Sequence, residues 1–319
     1  MNATNRPLFA HERFVRAVAF TPDSRMMASI DDGGMLFLWD LEEAAIANGM
    51  RVPSQQGVIC GEALAFSPRG GLYVSEPIGT TLRNVDTLAV ENACATRVAR
   101  LEVGGGGKWL LAGSHVREGG TLEFASCPPP SGPPFFGWPH GRIDPDGDAL
   151  LLGDDGGYDA AGLIGPMRTP HLALFDLASG VELRRRAMPE HLVATAFDRR
   201  AREFVFATGA GRIEAWAADG STSRILERGL SGVDALFCFG DWSVARIRNA
   251  KTGMNRLLVW EGTFERRAGE IILADAPWLA ASPDGRWLVW PDRPSARRPG
   301  AFSLSLLRIG GADVDRKVA

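Results

Sequence analysis

Short apolar runs punctuated by turn chemistry set the pattern of this chain from residue 15 onward. Within VRAVAFTPDSRMMASIDDGGMLFLWDL (residues 15–41) three apolar runs are separated by TPDSR and DDGG. Proline presets φ, aspartate bonds its own backbone and glycine supplies positive φ, so each break is a tight turn and each run reads as a strand. Three strands in so short a stretch cannot bury both faces of their own sheet, which makes recurrence the decisive question.

The unit recurs. With Trp39 marking the third strand, equivalent positions fall at Val85, Ala125, Phe175, Trp216, Trp260 and Leu307, at intervals of 40 to 50 residues. A second column, the turn between the first two strands, marches with it. Its members are FTPDS (20–24), FSPRGG (66–71), VGGGGK (103–108), DPDGD (144–148), FDRRAR (197–202), CFGDW (238–242) and SPDGR (282–286). Strand-only units of this period predict the blades of a β-propeller and argue against a helical array. LEEAAIANGM (41–50) has helix-forming composition and predicts a short helix before the second blade.

Residues 15–41 resemble a blade of the WD-repeat family, with Phe20-Thr21-Pro22-Asp23 in the first turn and Trp39-Asp40 closing the third strand. Only this unit carries the dipeptide. Later units keep Trp216-Ala217, Trp260-Glu261 and the strong SPDGRWLVW (282–290), while the second and third are degenerate. The resemblance implies an all-β fold: one seven-bladed propeller over residues 1–319, with four antiparallel strands per blade. AFSLSLLRI (301–309) would be the third strand of the last blade and NRPLFA (5–10) its outer fourth, closing the ring and covering an exposed edge. Such blades carry a bonded network of His, Ser or Thr, Asp and Trp. By offset from Trp39 it would use Ser29 and His11, but the usual Asp position is Gly33, with Asp32 one residue earlier. The resemblance therefore implies a shifted or incomplete network.

Composition narrows the function classes. A formal net charge of −3 gives no general pull toward nucleic acid or anionic membrane. No apolar run reaches membrane-spanning length and the first residues lack a signal-peptide core, so a cytoplasmic chain is expected. Cys60, Cys94, Cys127 and Cys238 form no CxxC pair and read as reduced, buried thiols. His11, His115, His140, His171 and His191 are dispersed, with no spacing that sets two on one element for a metal. GGGGKW (104–109) lacks the leading glycine and trailing hydroxyl of a phosphate loop, because those positions hold Glu102 and Trp109, so it reads as a turn. No cofactor, metal or catalytic motif is legible.

What departs from the repeat lies in loops, where binding residues concentrate. Six prolines stiffen CPPPSGPPFFGWPHG (127–141) around Phe135, Phe136 and Trp138, which either anchor a partner or cap a blade core. DDGGYDAAGLIGPMRT (154–169) sets Tyr158 among aspartates, and WPDRPSARRPG (290–300) carries Arg293, Arg297 and Arg298. Arg246, Arg248 and Lys251 would join that basic patch from the loop of the sixth blade, opposite the acidic one. The expected function is a non-enzymatic scaffold that binds another protein or peptide through these loops. The alternatives are a hydrolase or lyase with its site at the axial channel, and, less favoured by the charge, nucleic-acid binding.

Overall fold

The computed structural model describes residues 6–52, 63–77, 79–95, 101–112, 115–118, 140–153, 169–239, 241–249, 254–273, 276–292 and 302–308. Among them every regular element is a β-strand except one 3-10 turn, Gly105–Gly107. The chain divides into two compact units, one of residues 1–103, 118–124 and 275–319, the other of residues 104–117 and 125–274.

Three four-stranded antiparallel blades lie in the first unit. The first is Val15–Phe20, Met26–Asp31, Met35–Asp40 and Ala45–Arg51, and the second is Leu64–Phe66, Gly71–Glu76, Gly79–Asn84 and Val90–Cys94. The third joins Ala280–Ala281, Trp287–Asp292 and Phe302–Arg308 to the N-terminal strand Arg6–His11. Leu8 pairs with Leu304 there, so the expected pairing between the two ends of the chain is present in this blade.

Three more blades lie in the second unit. They are His140–Ile143, Ala149–Gly153, His171–Asp176 and Val181–Ala187; then Leu192–Asp198, Glu203–Thr208, Ile213–Ala217 and Ser223–Glu227; then Val233–Phe239, Trp242–Arg248, Asn255–Glu261 and Arg266–Leu273. A seventh sheet, Leu101–Gly104, Trp109–Ala112 and His115–Glu118, has three strands among the described residues. Six four-stranded blades are thus found where seven were expected. The exception falls in the degenerate third repeat, whose third strand precedes the Ala125 anchor; Ala125 itself lies outside the described residues.

Packing explains the apolar runs. Side chains alternate across a strand, so a middle strand flanked by two sheets must be apolar on both faces. Met27 packs with Trp287, Val289 and Leu304, whereas Ala28 and Ile30 from the same strand pack with Leu64, Leu72 and Val74. In the second unit Phe204 and Phe206 face Leu151 and Leu174, while Val205 and Ala207 face Leu236 and Leu258.

The helix expected over residues 41–50 is instead a turn followed by the outer strand Ala45–Arg51. Pairing of Phe37 with Gly49 overrides the local propensity, and Gly49 leaves room that a Cβ would fill, 2.6 Å from the Phe37 ring. The second-blade anchor also moves. Phe20, Met27 and Trp39 align across the first blade as Phe66, Leu72 and Arg83 do across the second, so Arg83, and not Val85, holds the Trp position.

Two different polar cores follow from that alignment. In the first blade the Trp39 indole donates to Ser29 Oγ (2.7 Å), Ser29 Oγ lies 2.7 Å from His11 Nε2, and His11 Nδ1 lies 3.0 Å from Asp31 Oδ2. The network is complete, and its carboxylate is Asp31 rather than Asp32, which pairs with Arg16 outside. In the second blade the register puts Glu76 where Asp31 stands. Glu76 Oε1 accepts from Arg83 Nε (2.9 Å) and Nη2 (2.7 Å) and from Thr81, while Arg83 Nη1 donates to the Leu88 carbonyl (2.8 Å).

Replacing Ser29 by Ala strands the Trp39 N–H, and it should lower unfolding free energy by about 1–3 kcal/mol in urea titrations. Arg83→Ala leaves Glu76 buried without its cation and should cost about 3–5 kcal/mol, while the double change Glu76→Leu with Arg83→Met should recover most of it.

Candidate interaction surface

Within each four-stranded blade, antiparallel order sends the turn between strands two and three, and the link to the next blade, to one end. The other two turns emerge at the opposite end.

That opposite end is a row of polar staples between neighbouring blades. Asp144, Asp146 and Asp148 of DPDGD have the alternate spacing of a cation loop, but each carboxylate is drawn to a different cation. Asp144 pairs with Arg202 (3.0 Å), Asp146 with Arg199 (3.2 Å), and Asp148 with Lys108 (3.1 Å) and the Trp109 indole (2.6 Å). The Trp109 and Lys108 bonds hold Asp148 below its ordinary pKa despite partial desolvation. Lys108 is thereby engaged by a carboxylate, and Gly105, Gly106 and Gly107 before it take positive φ in the turn. Asp198 accepts from Thr263 across to the next blade, and in the first unit Asp284 N donates to Ser24 (3.2 Å) and Arg286 pairs with Glu42 (3.3 Å).

At the loop end many charges are also committed inward. Glu190 accepts from Thr208 (2.6 Å) and the Ala210 amide (3.1 Å), which hold its pKa down. The buried Glu214 carboxylate meets Arg186 (2.7 Å) and Arg212 (2.6 Å). Arg186 and Arg184 lie over the Trp216 ring at 5.1 and 4.7 Å, where Phe206 occupies the position Ser29 has in the first blade. Among the described residues no three metal-ligating side chains come together, and no helix is long and apolar enough to cross a membrane.

Of the residues expected to bind a partner, the structure describes Arg246 and Arg248. Both belong to the strand Trp242–Arg248 and not to the loop after it. Arg246 is buried and bidentate to Asp234 (2.6 and 2.9 Å), while Arg248 ends the strand exposed. Phe135, Phe136, Trp138, Tyr158, Arg293, Arg297 and Arg298, together with Lys251, lie outside the described residues. The strands bracketing residues 158 and 293–298 are second and third strands of their blades, as the repeat predicts. Trp290, expected to open the last loop, is instead buried in the strand Trp287–Asp292.

One cluster escaped the sequence reading. Arg13, Arg16 and Arg51 come together on the turn at Asp32 and Gly33: Arg16 pairs with Asp32, Arg51 Nη1 lies 3.5 Å from the Gly33 carbonyl, and Arg13 packs on the Gly33 Cα. Arg13 precedes the first strand of the first blade, Arg16 lies in that strand and Arg51 ends the blade's fourth strand, so nothing in their spacing links them. Only the fold does.

No family model matches the chain, and no curated protein is similar to it. Among solved structures it is similar to that of U3-55K, a WD-repeat protein, with a TM-score of 0.67 and 14% identity over 96% of this chain and 99% of that one. At that identity the likeness shows the fold alone, a β-propeller.

Asp31 generates a pH test. Burial pushes its carboxyl up, but the His11 bond and the Met35 and Gly33 amides outweigh burial and leave the pKa below the ordinary value. A depressed carboxylate stabilises the fold above about pH 4, and that contribution is lost as pH falls through the folded value. Unfolding free energy measured from pH 7 to 2.5 should therefore fall less steeply below pH 4 in Asp31→Asn than in the wild type, from a lower starting value. Equal slopes would remove Asp31 from the acid response.

Proposed function

We propose that the chain is a non-enzymatic interaction scaffold of WD-repeat type that works in the cytoplasm and holds another protein or peptide through the loops at one end of its blades. The observation that carries this reading is the division of labour between blade and loop. The described polar groups of the blades are largely occupied with each other, in the networks of Asp31, Glu76, Glu214 and Asp234. The departures from the repeat, with most of their aromatics and arginines, lie in sequence between described strands. A rigid support bearing variable loops is what recognition requires and what many propellers supply.

On this reading Phe135, Phe136, Trp138 and Tyr158 supply apolar anchors, and Arg293, Arg297 and Arg298 supply charge. Arg248 is exposed and can join them. Arg246 serves the scaffold instead, since its guanidinium is satisfied by Asp234. The likeness to a WD-repeat structure supports a protein partner in general terms.

The test is affinity capture from the native lysate with the wild-type chain and with Arg293→Ala, Arg297→Ala and Arg298→Ala combined. At least one abundant partner should be lost with the triple variant. Identical partner sets would show that the basic loop does not dock.

A further inference from the structure

We propose that the turn at Asp32–Gly33, with Arg13, Arg16 and Arg51 around it, is a docking site for an acidic peptide segment. This deepens the scaffold reading, on which it rests, by naming a site at the loop end of the first blade and the chemistry of its ligand.

Three exposed guanidiniums meet on two consecutive residues. Of the carboxylates in the turn, Asp31 is buried and committed to His11 and the Gly33 and Met35 amides, so it neutralises none of them. Asp32 answers Arg16 alone. Arg13 and Arg51 have no carboxylate partner among the described residues; Arg51 reaches a backbone oxygen, and Arg13 lies against bare Cα. Arginine forks favour bidentate carboxylates, and an extended acidic segment offers several in succession. Phe14 adds an apolar wall beside them: the Arg16 guanidinium lies 5.3 Å over its ring, and Phe302 meets it edge-on at 6.2 Å. The net charge of −3 places this local excess of cations in an otherwise slightly acidic chain, which favours a peptide over a polyanionic nucleic acid.

Gly33 is part of the site. A Cβ there would stand 2.8 Å from Arg13 Cδ and 3.2 Å from Asp31 Oδ1, so Gly33→Ala displaces the long Arg13 side chain and crowds the carboxylate that holds the turn.

The experiment uses the full chain and a fluorescein-labelled octaglutamate peptide, read by anisotropy in about 50 mM salt, where exposed charges are weakly screened. The wild type should bind. Arg13→Ala with Arg51→Ala should weaken binding about five-fold, Gly33→Ala should weaken it about two-fold, and Asp32→Asn, which frees Arg16, should tighten it about two-fold. Arg200→Ala with Arg228→Ala changes net charge equally at other exposed positions and should leave binding unchanged. Circular dichroism melts establish that each variant is folded. No binding by the wild type, equal loss in the two double variants, or stronger displacement by an eight-nucleotide RNA than by unlabelled octaglutamate would overturn the proposal. A chain that captures lysate partners but ignores octaglutamate loses this site and keeps the scaffold reading; the converse result separates them the other way.

Discussion

A sheet that is apolar on both faces cannot exist alone in water, and the rest of this structure answers to that constraint. The middle strands Met26–Asp31 and Glu203–Thr208 each distribute successive side chains to two different neighbours within their unit, so neither blade owns its core. Met27 belongs with the last blade and Ile30 with the second, although three positions of one strand separate them. Stability is therefore a property of adjacency, and the ends of the sheets are free to differ because the burial that matters lies between the faces.

Where polar atoms enter these interfaces they must be satisfied, and the chain does so in unlike ways at like positions. One blade buries Asp31, His11, Ser29 and Trp39 as a chain of hydrogen bonds; its neighbour buries Glu76, Thr81 and Arg83 as an ion pair reinforced by a hydroxyl. In the second unit Trp216 has Phe206 where Ser29 would be, and two arginines cover its ring while its N–H stays unbonded. A fold specified by interface geometry tolerates such exchange so long as each polar set closes on itself. Surfaces built on this frame inherit its rigidity, which lowers the entropy lost when a partner binds.

The strand order was legible because two columns, the turns and the third-strand anchors, march at one period. His11, Ser29 and Trp39 were legible by offset. Asp31 was not, because the offset counts residues and the tight DDGG turn sets the carboxylate by geometry, through the Gly33 and Met35 amides. Arg83 was hidden by the expectation of an apolar anchor, although two charged residues, Glu76 and Arg83, in otherwise apolar central strands are a signal of buried pairing. Residues 41–50 misled because an outer strand, exposed along most of its length, carries helix-like composition. Of the candidate site, loop positions between strands were readable from the period. The clustering of Arg13, Arg16 and Arg51 was not, since it depends on register and on the absence of a side chain at Gly33.

The N-terminal strand has a consequence for synthesis. Arg6–His11 leaves the ribosome long before its backbone partner, Phe302–Arg308, which follows it by roughly 290 residues of chain. At roughly 5–20 residues per second, the wait is on the order of tens of seconds, during which that strand has an open edge. His11 can keep the strand in place meanwhile, because Ser29 and Asp31 emerge soon after it and can bond its side chain before the backbone partner exists. The histidine then works as a bookmark, keeping the first strand beside the first blade until the last strand arrives to pair with it.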